Sequence, residues 1–363
     1  MKVKLLIAGL LISAISLHAQ KSSKTEQILI PAEVNGRCGY IDQTGKWIIQ
    51  PKYYYAEKFA KNGLASVIVL TNNNGRTFCH NSWIDQTGKE IPQTLKFEYD
   101  TDFADNGLAV IIQNDKYGYI DKAGKIAINP QFKQAGSFAK NGLAAVQTKD
   151  KYGYIDKTGK IVIEPQFDDA FKFASNNLAA VKINDKYGYI DKTGKIVIEP
   201  QFKDAMCFSN GLAAVKIKDK YGYINKTGKI VIKPQFKDAS CFSNGLAVVK
   251  IEDKYGYIDK TGKIVIEPQF DYASDFEDNG LACVSFHTSS CGYYYSRGGC
   301  IDKTGKTIIE PQYDGIEIYK NVILAKTKGK WGILDKTGKF IKSPEFDKVV
   351  QLSIPIVEEE CPF

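Results

Sequence analysis

Lys151-Tyr-Gly-Tyr-Ile-Asp-Lys-Thr-Gly-Lys-Ile-Val-Ile-Glu-Pro-Gln-Phe167 returns almost verbatim from Lys186, Lys220 and Lys254. The residue that opens each Lys-Thr-Gly-like turn marks nine copies: Asp42, Asp85, Asp121, Asp156, Asp191, Asn225, Asp259, Asp302 and Asp335. Successive marks lie 33 to 43 residues apart. At that period each unit is one small supersecondary element that cannot bury its own apolar face, so the units must stack.

Residues Leu178 to Phe202 show what a unit contains. Leu-Ala-Ala-Val-Lys-Ile, Lys-Tyr-Gly-Tyr-Ile and Lys-Ile-Val-Ile read as three short strands. Asn184-Asp185 suits a two-residue hairpin turn, because Asn and Asp tolerate positive φ. Asp191-Lys192-Thr193-Gly194 suits a type I turn closed by a left-handed Gly. Pro200 has no N–H to give a ladder, so pairing stops or runs at an edge there. A connector follows, from which one Phe, such as Phe208 or Phe242, plugs the core. Alternate residues of each strand are apolar on both faces, which requires cover on both faces. No stretch of the mature chain sustains a period of 3.6, so helices are short or absent. Propeller blades usually have four strands, in four to eight copies. Three clear strands and nine copies point instead to an all-β tandem array of three-stranded antiparallel meanders, stacked as an open superhelical β-solenoid with degenerate end caps. A closed β-propeller is the alternative.

Residues 1–19 read as a signal peptide: Lys2 and Lys4, an apolar run from Leu5 to Leu17, then Leu17-His18-Ala19 before Gln20. The apolar run is too short for a membrane helix, which needs roughly 20 residues. No Cys follows the cleavage site, and no later segment is apolar enough to span a bilayer. The sequence divides into the leader, a lead-in over 20–34, the array over 35–350 and a tail over 351–363. The expected location is outside the cytoplasm: periplasmic, cell-surface or secreted. The formal charge of +8 falls to about +6 without the leader, with signs alternating inside each repeat, which argues against nucleic acid as a partner.

Lys330-Trp331-Gly332-Ile333-Leu334-Asp335-Lys336-Thr337-Gly338-Lys339 and its relatives with trailing Pro-Gln-Phe resemble the bacterial WG-containing repeat family. Tyr117, Tyr152, Tyr187, Tyr221 and Tyr255 stand at the Trp place in other copies. The second copy departs most, with Ser82-Trp83 for Gly-Tyr and an early Pro92. The resemblance implies a β-rich fold and brings no catalytic residues.

Chemistry-bearing residues are sparse. His80 and His287 have no metal-ligand spacing. Glu164, Glu199, Glu267 and Glu310 recur at equivalent edges, which suits solvated acids better than a catalytic pair. No Asp-x-Asp-x-Asp-Gly pattern suggests calcium. No metal or cofactor is expected. Cys291 and Cys300 bracket an insert that a disulfide could close, with Cys283 nearby. Cys207 and Cys241 hold equivalent places one repeat apart, as a disulfide pair or as two buried thiols. The Lys192-type residues flanking the turns suit sheet solubility or a stripe for an anionic glycan, and Tyr154, Tyr189, Tyr223 and Tyr257 suit the core. Tyr293, Tyr294, Tyr295 and Arg297, in the second of two long inserts, have the composition of a contact loop. The expected function is a non-catalytic exported scaffold that binds a protein or envelope glycan partner. The alternatives are an enzyme acting on envelope polysaccharide and a purely structural spacer.

Overall fold

A computed structural model describes residues 28–60, 63–73, 76–91, 98–99, 103–290 and 293–349. Nine four-stranded antiparallel sheets follow one another along the chain. In the fifth, strands Asp169–Ala170, Ala179–Ile183, Lys186–Ile190 and Ile196–Phe202 pair in sequence order. The turns form as their residues dictate: Asn184 and Asp185 have φ of 48° and 61°, and Gly194 has φ 88°.

The open solenoid is corrected by the ends of the chain. Lys348–Val349 pairs with Ile30–Val34, completing the first sheet with the last strand, so the nine sheets are blades of a closed propeller. Lys348 Nζ meets Glu33 Oε2 at 3.0 Å. The Asp347 N–H donates to Glu33 O at 2.8 Å, and Asp347 Oδ2 accepts from the Asn35 N–H at 2.8 Å. Phe346 packs edge-on against Trp47. The three-strand count failed because the remaining strand has only two residues, such as Asp169–Ala170, too short to show alternation. Ile30–Val34, read as lead-in, is a blade strand. The terminal repeats do not cap an open array; they share a core of Ile30, Ala32, Ile41, Leu324, Ile333 and Phe346.

One contact is repeated at six of the nine junctions between blades. The second Tyr of Lys-Tyr-Gly-Tyr is fully buried, and its ring stacks on the connector Phe of the next blade. The pairs Tyr40–Phe59, Tyr119–Phe138, Tyr154–Phe173, Tyr189–Phe208, Tyr223–Phe242 and Tyr257–Phe276 have centroids 4.6 to 4.9 Å apart, tilted 51° to 58°. Each hydroxyl donates to a connector carbonyl 17 residues on, as Tyr189 does to Met206 O at 2.7 Å. Burial of these phenols raises their pKa, so they remain donors.

Gly188 explains the Gly that stands at this place in every copy but the second, which has Ser82. The last strand bulges at Glu199-Pro200-Gln201, the register passing from Tyr189↔Ile198 to Tyr187↔Phe202. A Cβ on Gly188 would lie 2.5 Å from Ile198 O and 2.7 Å from Pro200 N.

The Asp turns are held by their own side chains. Asp191 Oδ1 accepts from Thr193 Oγ1 at 2.6 Å and from the N–H groups of Thr193 and Lys195 at 2.8 and 3.2 Å. These bonds, the Thr hydroxyl foremost, lower the carboxyl pKa of Asp85, Asp156, Asp191, Asp259, Asp302 and Asp335.

Two outcomes follow from these contacts. Tyr189→Phe, which strips Met206 O of its buried donor, lowers unfolding stability by about 1–2 kcal/mol, and Tyr189→Ala by about 3–5 kcal/mol, as read by urea denaturation. Because folding lowers the turn carboxyl pKa values, their contribution is complete above the unfolded value of about 3.9 and is lost as pH falls through the folded values. Thermal unfolding followed by circular dichroism therefore shows a falling Tm below about pH 4. Replacing several of these Asp residues by Asn, as at Asn225, makes the fall shallower.

Candidate functional site

The connectors converge on the ring axis. Lys58, in the connector of blade 2, lies over the ring of Tyr319 in blade 9 at 5.3 Å, although blade 1 stands between them. Such a contact across an intervening blade is possible only where the blades meet. Burial raises the pKa of Glu317 of blade 9 and of Glu277 in the connector of blade 8, and the Lys58 charge acts against it at both. Neighbouring connectors bond to each other: Asn210 Nδ2 and Asn244 Nδ2 donate to Phe242 O and Phe276 O at 2.9 and 2.8 Å, and Ser240 Oγ donates to Asp275 Oδ1 at 2.9 Å. The residue before the buried Phe is not part of the repeated framework, giving Lys58, Ser137, Lys172, Cys207, Cys241 and Asp275 around the rim.

Between the connectors of blades 3, 4 and 5 lies a cleft of about 350 Å³. Ser137, Lys140, Lys172, Ser175 and Asp105 supply its polar groups, and Phe138 and Phe173 its apolar floor. The cleft is thus basic and hydroxylated, whereas Asp275, Glu277, Asp278 and Glu317 make the rim acidic at blades 8 and 9. Sequence reading missed the cleft because its wall comes from three repeats; the only signal was that Lys140, Lys172 and Ser175 vary where the framework does not.

The two long inserts lie elsewhere. They lengthen the middle hairpins of blade 2, Leu64–Asn73 with Arg76–Asp85, and of blade 8, Leu281–Ser290 with Tyr293–Asp302. Connectors enter the second strand of a blade, and these turns leave it, so the inserts extend from the opposite face of the ring. Tyr293, Tyr294 and Tyr295 pair with Ser290, Ser289 and Thr288 at the start of a ten-residue strand. Arg297 sits at the Lys place of the repeat and forms an ion pair with Asp314, as Lys254 does with Asp271 and Lys330 with Asp347. The pair links blade 8 to the start of blade 9. His80 and His287 are exposed on the two separate hairpins.

Cys300 faces Cys283 across the ladder, both buried, and Cys291 lies outside the described residues. Hydrogen bonding to Cys300, then burial, pushes the Cys283 thiol up. Cys207 and Cys241 come together on adjacent connectors, with Cys241 Sγ 3.5 Å from Cys207 O. Glu164, Glu199, Glu267 and Glu310 are exposed, one per blade. Among the described residues no group of three or more His, Cys, Asp or Glu side chains is placed to hold a metal, and no helix is long and apolar enough to cross a membrane.

The model of the WG containing repeat matches eight segments, residues 39–69, 117–152, 152–187, 187–221, 221–255, 255–286, 299–331 and 331–351. The chain belongs to the WG containing repeat family. Residues 70–116, from the long hairpin of blade 2 into the first strands of blade 3, are left unmatched, in keeping with Ser82-Trp83 in place of Gly-Tyr. No curated protein matches the chain. Among solved structures it is similar to a eukaryotic initiation factor, with 11% identity and a TM-score of 0.64 over 90% of this chain and 98% of that one, a likeness of fold alone. Weaker likenesses are apo AztD from Citrobacter koseri (14% identity, 90% and 94% covered, TM-score 0.38) and Sqt1 from Chaetomium thermophilum (10%, 72% and 90%, 0.41).

The WG aromatic itself is a half-buried strut. In several Tyr copies its hydroxyl donates to the acid of the two-residue strand, Tyr187 to Asp169 Oδ2 at 2.9 Å and Tyr221 to Asp204 Oδ2 at 2.5 Å, while Tyr152 donates to Gln134 Oε1. A Lys lies over the ring, Lys216 at 5.2 Å from Tyr221 and Lys250 at 4.9 Å from Tyr255. In the one literal WG copy, Gly315 replaces that acid, and a Cβ there would come within 3.2 Å of Trp331. The larger indole takes the volume that Tyr and Asp share elsewhere.

Proposed function

We propose that the chain is a non-catalytic exported scaffold that holds an acidic segment of an envelope glycan in the axial cleft of blades 3 to 5. The observation that carries this reading is the cleft itself. Its volume of about 350 Å³ lies within the range of roughly 300–1,000 Å³ common to ligand sites. Lys140 and Lys172 offer charge to a carboxylate, while Ser137 and Ser175 offer exchangeable donors and acceptors to sugar hydroxyls. The leader-like residues 1–19 support export, which would bring the ring to such a glycan. The enzyme reading has less support: the repeated acids stand at equivalent exposed edges, and the two inserts sit on the face away from the cleft.

A second reading, a protein partner held on the opposite face, is favoured by the ten-residue hairpins of blades 2 and 8, which outreach the five- or six-residue strands of the other blades.

Calorimetric titration with uronic-acid oligosaccharides and neutral oligosaccharides of equal length separates these readings. The cleft reading predicts binding of the acidic series only, weakening with salt, and a loss of at least about tenfold, or about 1.4 kcal/mol, in Lys140→Glu/Lys172→Glu. Equal affinity of that variant would overturn the cleft assignment. A protein from the cell envelope retained by the intact chain, and released on deletion of Tyr293–Tyr295 with the fold preserved, would favour the second reading.

A further inference from the structure

We propose that Cys207 and Cys241 form a surface dithiol that reacts with low-molecular-weight disulfides, such as oxidised glutathione, and closes as a disulfide between the connectors of blades 6 and 7. Three observations carry this. The pairing is built into the ring: both residues precede the buried connector Phe, 34 positions apart, and propeller closure sets their connectors side by side. Those connectors are already clamped together, since Ser209 Oγ and Asn210 Nδ2 both donate to Phe242 O, at 2.6 and 2.9 Å, immediately beside Cys241. Finally, the pair is accessible. Cys207 is exposed and Cys241 half-buried, whereas Cys283 and Cys300 are sealed inside blade 8.

The neighbours give the two thiols different tasks. The equivalent positions on either side are Lys172 and Asp275, so among the described connectors no other adjacent pair offers two sulfurs. Hydrogen bonding from Cys241 lowers the Cys207 pKa, which favours its thiolate. Cys241 moves the other way, raised by that same bond and by burial, with Asp275 adding to the effect. Cys207, the exposed thiol, is then the attacking sulfur and the half-buried Cys241 the resolving one.

The Cys207 thiolate attacks one sulfur of the disulfide reagent, forming a mixed disulfide and releasing one thiolate, which takes up a proton from water. Loss of its hydrogen-bond partner lets Cys241 release its proton to solvent. Its thiolate attacks Cys207 Sγ, forming the Cys207–Cys241 bond and expelling the second thiol. The two cysteines are oxidised by two electrons, and the reagent is reduced to two thiols.

Peptide mapping of the full chain, alkylated without reduction after incubation with oxidised glutathione, tests this directly. The expected product is a cross-linked peptide pair carrying Cys207 and Cys241, two hydrogens lighter than the reduced pair. Cys241→Ser should stop at the first step, with glutathione retained on Cys207. Cys207→Ser should slow adduct formation at Cys241 at least tenfold. Wild-type protein in which both thiols still alkylate fully would overturn the proposal, as would Cys241→Ser that acquires no adduct while its circular dichroism matches wild type. The wild-type map needs no variant, so a substitution that disturbs folding does not blunt the test.

Discussion

Six of the nine blade junctions rest on the stack of a buried Tyr on the connector Phe of the next blade, locked by the Tyr hydroxyl on a connector carbonyl. A blade of four short strands is apolar on both faces and has no core of its own. The Tyr–Phe pair supplies the cover and, because the hydroxyl bond has one geometry, also fixes how far each blade turns from the last. Repeated at constant spacing, that step closes the chain on itself, and the closing strand Lys348–Val349 replaces what would be an exposed sheet edge. The exposed ion pairs of the periphery, such as Lys203–Asp219 and Lys237–Asp253, contribute little beside this contact.

The blades that lack the pair show what it does. In blade 2 Trp83 replaces Tyr and packs edge-on against Phe103 at 5.6 Å. In blade 8 Cys300 stands at the Tyr position, and the next blade has no connector Phe: Gly315–Tyr319 runs straight into a hairpin instead. In blade 9 Ile333 faces the N-terminal strand in the shared closing core. Partners change together at each exception, as close packing requires. Blades 8, 9, 1 and 2, which carry most of these departures, make one continuous arc around the seam.

Much of the framework was legible in the sequence because it is set by local chemistry. Asn184-Asp185 and Asp191-to-Gly194 specify their turns from four or fewer residues, and the alternation around Tyr189 marks it as core. Ring closure was not legible. The strand Asp169–Ala170 is too short to alternate, and Lys348–Val349 finds its partner more than three hundred positions away. Whether small rotations between blades sum to a full circle is a property of side-chain packing that no repeat displays alone. The axial cleft was hidden for the same reason. Lys140 and Lys172 look like ordinary surface lysines until the stacked repeats bring their connectors together, and the ion pair of Arg297 with Asp314 became visible only in the fold.

Closure of the ring is what sets this fold apart from an open array. The most direct measurement is a cross-link between the ends of the array in Glu33→Cys/Lys348→Cys, treated with a short thiol-specific bifunctional reagent and mapped by mass spectrometry in the monomer fraction. The account predicts a 33–348 cross-link within single chains, because those residues are paired neighbours in the first blade. Links found only between chains, with none inside the monomer, would contradict it, since nine sheets stacked openly at about 10 Å intervals would hold the two positions far beyond the reach of the reagent.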